Sequence, residues 1–365
     1  MTRLPSRIRT LRIALIVVLV LLVAPTVADF ATRGESPAPG DAPGRTIAAN
    51  ATDETELLDR PRGHVAYVVD AKGPGQLTVF NRSSNEEVYQ ARDYDLYHDV
   101  DPSPEGAYTI QYVASTILGE ETCPADIDGL CTRNVIDRLN YSTGEKQRLY
   151  DRIVNYNGSS NTHDVDRIDD EHFLVGDIQF DRVFITDTEA DTVEWTWSAA
   201  TEFDRSTGGQ QGDWTHLNDV EVLSNGRYMV NLRNQDQVVF VDRETGMLDN
   251  LTLGREDDYE TLYEQHNPDY IPAERGGPAV LVADSENNRI VEYQRRNGSW
   301  DRTWLWADET VQWPRDADRL PNNNTLITDT HGTRLIEVTP AGTVVWEHTV
   351  PRGVYEAELL ATGDE

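Results

Sequence analysis

Four histidines recur at one point of a repeating pattern, and imidazole is the side chain best suited to group transfer near neutral pH. His98 and His163 stand directly before an acidic residue, in YHDVD and THDVD. His216 and His266 stand three before one, in HLNDV and HNPDY, and Trp313 holds that place in WPRDA. A neutral imidazole nitrogen is a nucleophile, a protonated one an acid, and several together a metal site. Asn218 and Arg233 accompany His216. An amide and a guanidinium beside an imidazole are hydrogen-bond donors for an oxyanion.

The stretch Trp214 to Asp242, WTHLNDVEVLSNGRYMVNLRNQDQVVFVD, supplies the elements that position this group. Two apolar runs flank Ser224-Asn225-Gly226, an Asn-Gly hairpin signal. The strands are antiparallel, so the start of the first and the end of the second share an edge, placing His216, Asn218 and Arg233 together.

The same pattern, His-x-Asn-Asp, strand, Asn-Gly, strand, Arg, resembles the PAPS-independent arylsulfotransferase family, with likeness from about Tyr97 to His348. The resemblance implies sulfuryl transfer from an aryl sulfate to a phenolic or glycan hydroxyl through a sulfated histidine, without cofactor. It implies that His266, in QHNPDY, carries the group, that His216, Asn218 and Arg233 cradle its oxygens, and that His163 is the remaining active-site histidine. His98 is a weaker substrate-binding candidate. Trp214 and Trp313 flank the predicted mouth, either stacking on an aryl group or serving as core and rim aromatics. The chain lacks room for the N-terminal β-domain of the enterobacterial enzymes. The turn after His266, with Glu274 to Pro278, is longer than its counterpart in the preceding repeat.

The repeats decide the fold class. Aligning Asp99, Asp164, Asp219, Asp269, Asp316 and Glu356 gives copies 40 to 65 residues apart, suited to four-stranded propeller blades. The first copy, from His64, lacks an opening strand, and the last, YEAELLATGDE, has only that strand. Pairing them predicts an all-β, six-bladed β-propeller over residues 61–365, closed by the C-terminal strand. The aligned carboxylates are expected to be structural, as is any single histidine taken alone, through bonds to a neighbouring blade; four histidines with Arg233 at one mouth point instead to a site. Asp284–Arg289 and Asp329–Arg334 read as inter-strand salt bridges, and His331 as an extra residue of the upper face. His64, His172 and His348 show no site logic.

Composition bounds the rest. The chain has 365 residues and a formal net charge of −32, with Lys72 and Lys146 its only lysines. Such acidity argues against nucleic acid as a partner and reads as adaptation to high salt. Arg3, Arg7, Arg9 and Arg12 precede an apolar run from Ile13 to Ala24, so residues 1–30 read as a signal peptide or membrane anchor with the propeller outside. Residues 31–60 read as a flexible linker. Export agrees with sequons at Asn50, Asn81, Asn140, Asn157, Asn250, Asn297 and Asn323, and with pairing of Cys123 and Cys131. Those cysteines fall in an insertion, about Ala114 to Thr132, read as a lid or a plain loop. Asn81, Asn140, Asn297 and Asn323 fall in turns of the lower face, opposite the histidines. The competing readings are a non-catalytic surface propeller binding glycans or proteins, and a zinc or copper site made by the imidazoles.

Overall fold

The computed structural model describes residues 63–70 and 74–360. The predicted signal or anchor segment, the linker and the sequon at Asn50 lie outside them. Among the described residues no helix is long and apolar enough to cross a membrane.

Six antiparallel sheets follow one another around a ring. The first blade contains β1 (His64–Val69), β2 (Gln76–Asn81) and β3 (Glu87–Ala91). The second is β4 (Leu96–Pro102), β5 (Thr109–Leu118), β6 (Cys131–Asn140) and β7 (Glu145–Asn155). The third is β8 (Asp164–Arg167), β9 (His172–Asp177), β10 (Arg182–Asp187) and β11 (Thr192–Ser198). The fourth is β12 (Leu217–Val222), β13 (Tyr228–Leu232), β14 (Gln237–Asp242) and the short β15 (Gly246–Met247) and β16 (Leu253–Gly254). The fifth is β17 (His266–Ile271), β18 (Ala279–Asp284), β19 (Arg289–Arg296) and β20 (Ser299–Trp306). The sixth is β21 (Pro314–Arg319), β22 (Thr325–Asp329), β23 (Arg334–Val338) and β24 (Val344–Thr349). The last strand, β25 (Val354–Leu360), pairs antiparallel with β1 and completes the first blade. The predicted closure is present, and it removes the free edges that an open sheet would expose.

Each blade is covered on both faces by its neighbours, which explains the near-continuous apolar runs of the middle strands. Ala279–Asp284 and Tyr228–Leu232 are buried at every position, whereas the outer strand Thr192–Ser198 is mostly exposed. Apolar clusters fill all six interfaces, for instance Leu174, Val183 and Ile185 against Leu217, Val230 and Val239. The interface between the last and first blades is likewise filled by apolar side chains, with Val65, Tyr67 and Phe80 against Leu326, Leu335 and Trp346.

The inner strands β4, β8, β12, β17, β21 and β25 pack side by side around a central tunnel without forming a common sheet. The aligned carboxylates join them, as expected. Val220 N donates to Asp164 Oδ2 (2.5 Å), Arg319 N to Asp269 Oδ2 (2.8 Å), Ala357 N to Asp316 Oδ2 (3.0 Å) and Val100 N to Glu356 Oε1 (3.1 Å). Asp99 accepts from Val165 N in the same way. Between the fourth and fifth blades the role falls to Glu221, which accepts from Tyr270 N (2.9 Å). Each bond satisfies a backbone donor that an inner strand cannot pair within its own sheet.

Cys123 and Cys131 form a disulfide, with Cα atoms 5.9 Å apart. The insertion around them differs from the predicted loop. Ladder pairing continues from Ala114↔Val135 out to Leu118↔Cys131, so most of it is an extended hairpin and only residues 119–130 form the connection. Its bonds run to the segment after its own blade, as in Thr132 Oγ1 to Ser160 Oγ (2.6 Å) and Tyr156 N to Leu130 O (3.1 Å). The sequons at Asn81, Asn140, Asn297 and Asn323 lie at the end of the tunnel opposite the histidines, in turns where the strands reverse.

Candidate active site at the tunnel mouth

The start of every inner strand faces the same opening, and the four histidines meet there. The His98 and His163 rings stack with centroids 4.3 Å apart, His163 lies 5.4 Å from His216, and His216 lies 6.4 Å from His266. Trp313 continues the arc 5.4 Å from His266, and His331 stacks on Trp313 at 4.6 Å. Tyr355, from β25, stands inside the arc, 5.2 Å from His98, 5.8 Å from His163 and 6.3 Å from His266.

Two sequence offsets reach one place because the inner strands bulge beside the aligned carboxylate. Register shifts fall between Tyr97 and Asp99, Leu217 and Asp219, His266 and Asp269, and Pro314 and Asp316. A bulge re-aims side chains at a strand end. His216 (φ 48°) and Trp313 (φ 53°) also hold left-handed backbone, a conformation a bulky residue keeps only when its surroundings enforce it. Those surroundings are hydrogen bonds to the preceding residue. Thr215 N and Oγ1 donate to Asp181 Oδ1 (3.1 and 2.8 Å), and Gln312 N donates to Asp329 Oδ1 (2.8 Å). Thr162 N, before His163, donates to Asn134 Oδ1 (2.9 Å), and Glu264 N, two before His266, to Asp236 Oδ1 (2.9 Å).

Hydrogen bonding fixes which ring nitrogen is available. Ser285 Oγ lies 2.6 Å from the Pro314 carbonyl, to which its single proton is donated, and 2.8 Å from His266 Nδ1. Towards His266 the hydroxyl is therefore an acceptor, Nδ1 carries the proton, and the Nε2 lone pair is free. His216 donates from Nδ1 to Asp213 Oδ1 (2.7 Å), again leaving Nε2. His163 Nδ1 lies 3.3 Å from the Asn161 carbonyl. His98 is the exception, because Asn161 Nδ2 donates to its Nε2 (2.6 Å).

Burial keeps these rings neutral. It pushes the His98 pKa down to about 3, with Arg315 and His216 adding to the effect. His163 and His266 are held well below the ordinary histidine value, first by burial and then by His98 and Arg233 respectively. For His216 burial lowers the value while the Asp213 hydrogen bond opposes it, making this ring the most readily protonated of the three that leave Nε2 free, by that local partner.

Two arginines flank the rings. Arg233 pairs with Glu264 and donates to Asn234 Oδ1 (3.1 Å). Arg315 donates to Asp70 Oδ2 (3.2 Å), with its guanidinium 4.3 Å from the Trp313 centroid and 4.8 Å from that of Tyr355. Buried donors without an acceptor collect here among the described residues: Arg233 Nε, Arg315 Nε, Asn218 Nδ2 and the Tyr355 hydroxyl. Such unmet donors are costly in a folded protein and suit an anionic ligand.

The predicted residues sort as follows. His163, His216, His266, Arg233 and Trp313 share the mouth, with His331 at its rim. His98 is there too, but Asn161 occupies its Nε2, so it stacks on His163 and offers substrate no free ring nitrogen on that side. Asn218 is fully buried, accepting from Asn231 Nδ2 (2.6 Å) within an amide network, and only its Nδ2 is uncommitted. For Trp214 the structure gives the core reading and not the stacking one. It lies in the core between the third and fourth blades, with Nε1 donating to Thr207 O (2.6 Å), because the apolar interface buries its ring. Asp284–Arg289 (2.6 Å) and Asp329–Arg334 (2.9 Å) are the expected salt bridges. His64, His172 and His348 lie elsewhere, beside Tyr141, Asp169 and Phe80. Among the described residues, three-ligand groups close enough to share a metal do not include the four mouth histidines; they are His172, Asp187 and Glu194, and Asp99, Asp164 and Glu356.

Tyr355 and Arg315 escape the histidine-based reading, yet a signal exists. They directly precede Glu356 and Asp316, the slot that His98 and His163 occupy before Asp99 and Asp164. Asp213 and Asn161 carry no such mark, whereas Ser285 follows Asp284 as Thr330 follows Asp329 in a repeated motif that reads as salt bridges and not as a site.

No family model matches the chain, and no curated protein matches it in sequence. Solved structures do resemble it. A protein of unknown function from Bacteroides caccae aligns over 81% of this chain and 98% of its own, with TM-score 0.56 and 13% identity. A chain of the nidogen–laminin complex aligns over 82% and 99%, with TM-score 0.54 and 11% identity. A periplasmic gluconolactonase from Pseudomonas aeruginosa aligns over 83% and 100%, with TM-score 0.50 and 12% identity. This is a likeness of fold, across proteins of unknown or differing function.

Proposed function

We propose that the mouth is a sulfuryl-transfer site of the arylsulfotransferase kind, acting on an aryl sulfate donor and a phenolic or glycan hydroxyl. The observation that carries this reading is the set of neutral imidazoles with unpartnered Nε2 atoms, gathered among buried donors that lack acceptors. A neutral nucleophile beside anion-seeking donors is what transfer of a negatively charged group requires.

His266 Nε2 attacks sulfur, the bond from sulfur to the aryl oxygen breaks, and the phenolate departs with the electron pair. The sulfonated ring is cationic, and its Nδ1–H bond to Ser285 strengthens as that charge develops. The acceptor hydroxyl then attacks sulfur as its proton passes to His216 Nε2, and the nitrogen–sulfur bond breaks to restore neutral His266. Asp213 favours the resulting His216 imidazolium and orients the ring. Arg315, Arg233 and Tyr355 supply donors for the equatorial oxygens, where charge spreads as in phosphoryl transfer. Trp313 offers a face for the aryl ring.

The disulfide and the basic, apolar N-terminal sequence support a place outside the cytoplasm, on the cell surface or secreted. The test is turnover of a panel of aryl sulfates with a phenol acceptor in molar salt. Acceptor-dependent phenolate release, lost in His266→Ala, is expected. Absence of turnover across the panel, with the folded protein retaining glycan binding, favours a binding propeller instead.

A further inference from the structure

The tunnel beneath the mouth has the opposite polarity, and its chemistry is independent of the sulfuryl-transfer reading. It holds a cavity of about 240 Å³ lined by eleven carboxylates and by no lysine, arginine or histidine. They arise from the repeat itself, because the aligned position and the one two residues later both face inwards, as in Asp99 and Asp101 or Asp164 and Asp166. Bonding between blades accounts for one oxygen of most aligned residues. Among the described residues, second oxygens without a donor remain at Asp99 and Asp219. Oxygens of Asp99, Asp164 and Glu356 come within 4.8 Å of one another, and Asp99 Oδ2 is buried with no donor among the described residues.

A neutral side chain makes the separate case for a ligand. Asn267 lines the same cavity, is 6% exposed, and donates from Nδ2 to Glu356 Oε2 (3.3 Å). Its Oδ1 is buried with no donor. Asn267 also holds left-handed backbone (φ 28°) directly after His266. Inter-blade bonding explains a carboxylate, but it does not explain a buried amide oxygen left without a donor, among the described residues, on a side chain that lines an acidic cavity. Three converging carboxylate oxygens, with an amide oxygen in the lining of the same cavity and no nitrogen or sulfur donor, form a hard-cation ligand set.

We propose that the tunnel binds a divalent cation of the calcium class, ligated by Asp99, Asp164, Glu356 and Asn267 Oδ1. The cation joins the first, second, third and fifth blades, so it braces the ring under the histidine mouth. Binding is read on the full chain, stripped with EGTA and exchanged into molar potassium chloride, by radiocalcium equilibrium dialysis and thermal unfolding. One tightly held calcium per chain is expected, with a rise in the unfolding midpoint on adding it. Asp99→Asn and Glu356→Gln, which keep side-chain size and the inter-blade acceptor, should weaken binding about tenfold or more, and Asn267→Ala should weaken it as well. His172→Ala, which dismantles the surface group with Asp187 and Glu194, should leave it unchanged. Folded protein that takes up no calcium and shows no midpoint shift overturns the proposal. So does uptake that survives Asp99→Asn and disappears in His172→Ala.

Discussion

Removing the Ser285 hydroxyl should disarm His266 while leaving the imidazole in place. Both groups are buried, His266 at 2% exposure and Ser285 at 0%, so water has no route to replace the lost acceptor. In Ser285→Ala the Nδ1–H loses its 2.8 Å partner, and the ring is no longer held in the tautomer that presents the Nε2 lone pair. The bond matters most when the ring is sulfonated and cationic. A hydrogen bond to a charged group contributes about 1.5–3 kcal/mol, against about 1 kcal/mol for a neutral pair. Both states lose the bond, so the step forming the adduct should slow by the difference of about 0.5–2 kcal/mol, or about 2- to 30-fold at 1.36 kcal/mol per factor of ten. The assay is the burst of nitrophenolate from 4-nitrophenyl sulfate without acceptor, followed by stopped flow, with the thermal midpoint confirming the fold. KM should change little, because Ser285 faces the back of the ring. An unchanged burst rate in a folded Ser285→Ala protein would refute the assignment of the Nε2 nucleophile.

Tyr355→Phe deletes a buried hydroxyl that has no acceptor, so stability should hold or rise by about 1 kcal/mol while kcat falls at least about tenfold; equal kcat in the two proteins would remove Tyr355 from the site. Asp181→Ala releases Thr215, the residue before His216, and should lower stability by about 1–3 kcal/mol and kcat with it, measured by denaturant unfolding and steady-state rates; unaltered kcat would mean that the anchor does not position the ring. The acid limb of kcat/KM should fall below pH 6.5, because burial lowers the His216 pKa and the neutral base persists as pH drops through the ordinary histidine range. Asp213→Asn removes the partner that raises that value, so the limb should move further towards acid as the maximum rate declines; a shift towards neutral pH would contradict the sign.

Much of the architecture is legible in the chain because propeller physics is local. One acidic residue per blade bonds the next inner strand, so it recurs, and its recurrence finds the blades. The missing opening strand of the first copy and the lone strand of the last disclose the closure. The mouth is legible only where it uses the repeat. His98, His163, His216 and His266 stand out as histidines, whereas Tyr355 and Arg315 fill the same slot with other residue types. Trp214 shows the limit of proximity in sequence, since two residues before His216 the chain is still in the interface between blades. Asp213 and Asn161 reach the rings through loop geometry, which no periodicity records, and Ser285 sits in a repeated motif whose salt bridge hides its contact with His266. The insertion at Cys123 misleads for a related reason, because polar residues paired in an extended hairpin look like a loop.

The covalent state of His266 bears most directly on the mechanism. Protein mixed with an aryl sulfate in the absence of acceptor, quenched in alkali and mapped by peptide mass, should carry one sulfuryl group on the His266 peptide. The group should vanish on adding a phenol and never form in His266→Ala. A sulfuryl group found on another histidine, or undiminished turnover by His266→Ala, would contradict it.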